Sequence, residues 1–188
     1  MQYLSTKLTE YMLYKKVIQE DDFEVYQYGI QNFLEISVSI ICSVIIAFLL
    51  NMKLECIIFF LFFIPLRSYG GGLHMKTYCA CLFFSCITLF LILLIVKYIT
   101  LPCSISFMAY LFSYLSLKLI GPVDHPNREV DNEENQLFKK KTNLFLLISL
   151  FIAVLLWYIE FEKYLLLEAL IFLLISFTSF IGKIKYSL

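Results

Sequence analysis

Charge is scarce in this chain. Only 16% of its 188 residues are Asp, Glu, Lys or Arg, against about 25% in a typical soluble domain. Acids and bases balance to a net charge of zero, so nothing in the electrostatics argues for nucleic acid as a partner. Histidine occurs twice. With so few imidazoles and no cysteine pair at zinc spacing, a metal cluster is not expected. No internal repeat and no low-complexity tract is visible. The N-terminus lacks a short basic region leading into an apolar one, so no cleavable signal peptide is expected.

What the chain has instead is apolar surface. Hydrophobic residues make up 61% of it, where soluble domains average roughly 45–50%. Apolar runs recur at 33–50, 54–66, 78–98, 102–120, 143–159 and 163–182. A membrane helix needs about 20 apolar residues, and five of the six runs meet or approach that length. The pattern predicts an all-α polytopic membrane protein with about six transmembrane helices, built as a single integral membrane domain over 1–188. The second run is short and ends at Pro65, so it is either a tilted span extending to Tyr69 or a re-entrant segment. Residues 1–32 alternate Leu4, Leu8, Tyr11, Met12 and Val17 with Lys7, Lys15 and Lys16. That spacing predicts an amphipathic helix lying in the membrane interface. The six cysteines (Cys42, Cys56, Cys79, Cys81, Cys86 and Cys103) fall mostly inside apolar runs and read as small buried hydrophobes rather than disulfides.

Orientation follows from lysine and arginine. With six spans and the N-terminus inside, 12 of the 15 basic residues fall on inner segments, and only Lys53, Lys97 and Lys163 fall on outer ones. If the second run did not cross, this sorting would collapse. Both termini are therefore expected in the cytoplasm of a bacterial plasma-membrane protein. So is the 121–142 loop, which begins GPVDHPNREV and ends near Lys139–Lys141.

The segment Arg67–Ser85 reads RSYGGGLHMKTYCACLFFS. Half of the six glycines stand together at Gly70–Gly72, which marks a forced bend. His74 follows, then Cys79 and Cys81. On an ideal helix seven residues rotate about 700°, so His74 and Cys81 would share a face, whereas Cys79 would lie about 140° from His74. Seven residues also rise about 10.5 Å, too far for a hydrogen bond. A base–thiol pair thus requires the chain to bend between them, with Thr77 as a candidate N-cap of the following helix. Cysteine attacks as the thiolate, a form favoured by helix N-termini and adjacent imidazolium. Two other readings stay open: a small metal or solute transporter holding soft Cu(I) on Cys79, Cys81 and His74, and a non-catalytic membrane partner of a sensor.

These residues resemble the accessory gene regulator B (AgrB) family, membrane peptidases that process quorum-sensing propeptides. Arg67, the glycines, His74, Cys81 seven residues on and Ser85 four beyond carry the resemblance, with Thr77 where a small hydroxyl is frequent. So do Pro122, Asp124, His125, Pro126 and Asn127 in the polar loop, and Tyr28-Gly29-Ile30-Gln31 before the first apolar run. Met75 and Gly121 depart from a usual alanine, and Cys79 is an extra thiol. The resemblance implies a cofactor-free cysteine endopeptidase with a His74–Cys81 dyad, acting on an AgrD-like propeptide in the lipid bilayer and assembling as a homodimer. Gln31 would orient the base or serve an oxyanion. Glu35 lies one turn deeper on the same face. Arg67 would either anchor the inner end of its span under the positive-inside rule or meet the propeptide's acidic tail, and Asp124 would orient an imidazole, with His125 an alternative base.

Overall fold

A computed structural model describes residues 1–70, 77–121 and 132–187. Every regular element among them is helical. In order they are α1 (Gln2–Tyr14), a 3-10 turn at Glu20–Asp22, α2 (Phe23–Leu50), α3 (Lys53–Gly70), α4 (Tyr78–Tyr98), α5 (Cys103–Ile120), α6 (Asn132–Tyr158) and α7 (Glu162–Ser187). An all-α chain is what apolar segments in lipid must form, because each backbone N–H and C=O has to find its partner within the segment.

Five helices, α2, α4, α5, α6 and α7, are long and apolar enough to cross a membrane. The sixth, α3, has 18 residues and spans about 27 Å. It differs in carrying Lys53, Glu55 and Arg67 at its ends. It is one continuous helix, with Pro65 inside it. Its first turn pairs Glu55 with Lys163 at the start of α7. At the other end, Tyr69 stacks on Phe145 of α6 at 6.0 Å and lies 4.8 Å beneath the Lys141 ammonium. α3 therefore runs from one end of the bundle to the other, as the tilted-span alternative expects.

The turns explain how the helices reverse. α2 ends on Asn51 in the left-handed region (φ 56°), and the Met52 N–H donates to Ala47 O at 2.9 Å. This is a short C-cap that asparagine tolerates. α5 ends on Gly121 at φ +69°, a conformation that glycine adopts without steric cost. Two lysines close helix ends across the bundle: Lys97 Nζ donates to Leu50 O and Lys183 Nζ to Ile120 O, each at 2.9 Å. Each satisfies a carbonyl that the last turn leaves without an intrahelical donor.

The core sits around α7, which packs against α3, α4, α5 and α6, most extensively against α5. Leu165, Leu167, Ile171 and Phe172 have no exposed surface. By contrast α2 lies at the edge, where Phe33, Ile40, Ile41, Phe48 and Leu49 point outward, as lipid-facing side chains do. α1 packs on α2 with its polar side. Ser5 and Thr9 are buried there, and Gln27 Nε2 donates to Thr6 Oγ1 at 2.7 Å. Tyr3, Leu4, Leu8, Tyr11 and Tyr14 face away from the protein, the orientation of a helix whose apolar side meets lipid.

Candidate active site at one end of the bundle

Cys81 occupies the first turn of α4 with its side chain exposed. The turn is capped as expected: Thr77 is extended (φ −127°, ψ 145°), and its Oγ1 accepts from the Ala80 N–H at 3.4 Å, while the Cys81 N–H bonds Thr77 O at 3.1 Å. Cys79 is also exposed but lies about 160° round the helix from Cys81. Ser85, exposed and one turn beyond Cys81, shares its side. The two thiols therefore open onto different surroundings, and only Cys81 has a hydroxyl next to it on its own face.

α2 supplies the wall beside this turn. The Tyr78 hydroxyl donates to Glu35 O at 2.9 Å, Gln31 Nε2 donates to Glu35 Oε1 at 3.0 Å, and Ser39 Oγ also donates to Glu35 O at 3.0 Å. Deeper in, Ser43 Oγ donates to Ser39 O at 2.8 Å, and Cys86 faces Cys42. Gln31, Glu35, Ser39 and Ser43 are spaced four apart and form one polar stripe on α2.

The register of these contacts says which predicted residues meet. α2 and α4 run parallel, with Tyr78 level with Glu35 and Cys86 with Cys42. Cys81 then lies about 4.5 Å deeper than Tyr78, and Gln31 about 6 Å shallower than Glu35. Gln31 is thus about 10 Å along the axis from the thiol. Glu35 is the stripe's polar side chain nearest in level to Cys81 on the loop side. The fixing of α2 to α4 by Tyr78 has no signature in the sequence, since a tyrosine at a span boundary is ordinary interfacial composition.

Arg67 is half-buried in the last turn of α3. One turn on, Gly70 lines a narrow crevice with Leu66, Leu117, Gly121, Thr142 and Ser179. The Thr142 hydroxyl is buried there with no hydrogen-bond partner among the described residues. Gly70 and Gly121, the last described residues before 71–76 and 122–131, both line this crevice. His74, Asp124 and His125 lie outside the described residues. Among the described residues, no three His, Cys, Asp or Glu side chains come together as a metal site. A larger cavity of about 380 Å³, lined by Cys103, Ser104, Trp157, Tyr158, Glu160 and Glu162, opens at the opposite end and contains none of the candidate residues.

The sequence matches the Accessory gene regulator B family over residues 5–181. The chain belongs to this family. It is 31% identical over 140 residues to an AgrB-like protein of Clostridium perfringens strain SM101, and 30% identical over 140 residues to AgrB-like protein 2 of C. perfringens strain 13. Each match takes in 70% of this chain and 65% of the relative, so the matched part is just under two thirds of the length of these curated AgrB-like proteins. No solved structure matches the chain. The family match runs through α1, the α2 stripe, the Cys81 turn and most of α7, so the AgrB assignment takes in the whole bundle.

Proposed function

We propose that this AgrB family member acts in agr-type quorum sensing as a cysteine endopeptidase that cuts the C-terminal tail from an AgrD-like propeptide. The observation that carries the reading is Cys81: an exposed thiol in the first turn of a threonine-capped helix, beside the polar stripe of α2. His74 takes the Cys81 proton. The thiolate adds to a peptide carbonyl, and the tail leaves as an amine that receives the proton back from His74. A thioester remains on Cys81. An internal cysteine or serine of the peptide then attacks the thioester, closes a thiolactone or lactone ring and restores the thiol. Holding that nucleophile beside the acyl-enzyme raises its effective concentration steeply, and a site at the edge of the bilayer disfavours hydrolysis.

The supporting roles follow the register. Gln31, about 10 Å along the axis from the thiol, suits orienting the base better than serving the oxyanion. Ser85, on the thiol's own face, suits contact with the peptide. Arg67 would meet the acidic tail, and Asp124 would orient an imidazole. The far end of the bundle carries Lys53, Lys97 and Lys163, and the site end carries Arg67, Lys118, Lys139–Lys141 and Lys183. By the positive-inside rule the site faces the cytoplasm of the plasma membrane. α1 would lie in the same interface, and the protein would work as a homodimer.

Membranes carrying Cys81→Ala, mixed with a propeptide from the neighbouring reading frame, test the chemistry. Cleavage should fall by at least about 10³-fold in Cys81→Ala and in His74→Ala, while Cys79→Ala and Cys86→Ala stay near wild type and all four proteins insert. A thioester trapped on Cys81 would identify the nucleophile. Full processing by inserted Cys81→Ala protein would sink the proposal.

A further inference from the structure

α7 holds an acid that the proposed chemistry leaves unused. Glu168 has no exposed surface, and neither of its carboxyl oxygens has a hydrogen-bond partner among the described residues. Leu165, Leu167, Ile171 and Phe172, its neighbours along α7, are equally buried. An ionisable side chain inside a membrane bundle is costly and marks a site worth explaining.

The packing of α5 on α7 identifies what stands opposite. The Tyr110 and Phe172 rings are 4.8 Å apart, and Lys183 Nζ reaches Ile120 O at 2.9 Å. The two helices are therefore parallel, and each residue of α5 lies level with one about 62 positions further along the chain. That offset sets Ser106 level with Glu168. Ser106 is 1% exposed, and its Oγ also lacks a partner. Tyr110 lies one turn deeper, and its hydroxyl meets Ser149 Oγ at 2.8 Å. Ser149 Oγ already donates to Leu146 O, so Tyr110 is the donor in that pair and its oxygen is left able to accept.

Among the described residues no cation is placed to balance a carboxylate here. Lys163 on α7 is paired with Glu55 of α3, Lys97 of α4 is bonded to Leu50 O, and Lys183 to Ile120 O. Lys53 lies over the Phe48 ring. Arg67, Lys118 and Lys139–Lys141 belong to the opposite end of the bundle. The acids at the near end, Glu160 and Glu162, add only like charge. A proton, unlike a metal ion, needs neither an inner sphere of ligands nor a cavity. We propose that Glu168 is a proton-binding site sealed between α5 and α7, held as the neutral carboxylic acid, whose single O–H can turn toward the Ser106 oxygen at its own level.

Infrared spectroscopy of the purified full-length protein reads this directly, because the C=O stretch of a carboxylic acid is separated from that of a carboxylate. At about pH 7, where solvent-exposed carboxyls with ordinary values near 4 are ionised, wild type should retain an acid band that Glu168→Gln removes. Ser106→Ala should keep the band and shift it to higher frequency as the hydrogen bond is lost, a response that a merely space-filling serine would not produce. Absence of the acid band in wild type would overturn the proposal, as would a band unchanged in Glu168→Gln or one removed by added sodium. If Glu168→Gln fails to accumulate, the wild-type band and its shift in Ser106→Ala decide. None of these readouts involves propeptide, so they stand or fall separately from the peptidase reading.

Discussion

α2 and α7 are nearly equal in length, 28 and 26 residues, and α2 is the more apolar, with mean hydropathy 2.6 against 2.2 in their best membrane-spanning stretches. Yet 61% of that stretch is buried in α7 and 11% in α2. Hydropathy and burial thus rank the two helices in opposite order. In water the more apolar helix would be the inner one. In a bilayer the lipid tails are as apolar as leucine, so hydropathy commits a helix to the membrane without saying which helix it will pack against. α7 becomes the spine through close side-chain fit, and α2 stays at the edge, held by a polar stripe. The proposed chemistry sits on the edge.

The sharpest way to break this comparison is to delete the same side chain from both helices. Phe172 has no exposed surface and packs on Tyr110 and Phe62, whereas Phe48 is 60% exposed at the far end of α2. Phe172→Ala should lower stability by about 3–5 kcal/mol, the usual result of removing a buried aromatic ring. Phe48→Ala should stay within about 0.5 kcal/mol. Thermal unfolding in detergent measures both. Equal losses would mean that the edge is packed as firmly as the spine.

The same contrast explains how much of the molecule could be read in advance. Runs of apolar residues located every long helix, because length and hydropathy are what a bilayer imposes. They missed how far α6 reaches: it starts at Asn132, 11 residues before the apolar run at 143, since a helix can project beyond the hydrocarbon with polar side chains. The Thr77 cap was legible because capping is local chemistry. Cys79 and Cys81 do lie on different faces of α4, while the phase of either thiol relative to His74 falls outside the described residues. The level of Gln31 relative to Cys81 was not legible, because it depends on how α2 slides along α4. That register is set by Tyr78 meeting a backbone carbonyl, which any residue at position 35 would offer. Glu168 stood in the middle of a predicted span, yet only the α5–α7 register reveals its neighbours.

A second prediction sharpens the comparison at the start of α4. Thr77→Ala removes the oxygen that accepts from the Ala80 N–H, a loss that typically costs about 1 kcal/mol. On the spine so small a loss would be absorbed by surrounding contacts. At an exposed helix start it should fray the turn that holds Cys81. Propeptide cleavage should fall about fivefold, the factor corresponding to about 1 kcal/mol, with little change in thermal midpoint. Thr77→Ser, which keeps the capping oxygen, should restore most of the activity. A shifted midpoint with unchanged cleavage would assign the cap to global stability instead.

The smallest expected effect concerns the two ties that hold α2 to α4. Near the site the Tyr78 hydroxyl meets Glu35 O, and at the far end Lys97 Nζ meets Leu50 O, both at 2.9 Å. Each removes one donor from one backbone carbonyl of the same helix, so they form a matched pair that differs in distance from Cys81. Hydrogen bonds between membrane helices average only about 0.6 kcal/mol, so neither Tyr78→Phe nor Lys97→Met should unfold the protein. If the edge acts by setting the level of Gln31 and Glu35 against the thiol, Tyr78→Phe should slow cleavage about threefold and Lys97→Met should leave it unchanged. Equal slowing in both would mean that α2 moves as a rigid rod, and that either tie sets its position along α4.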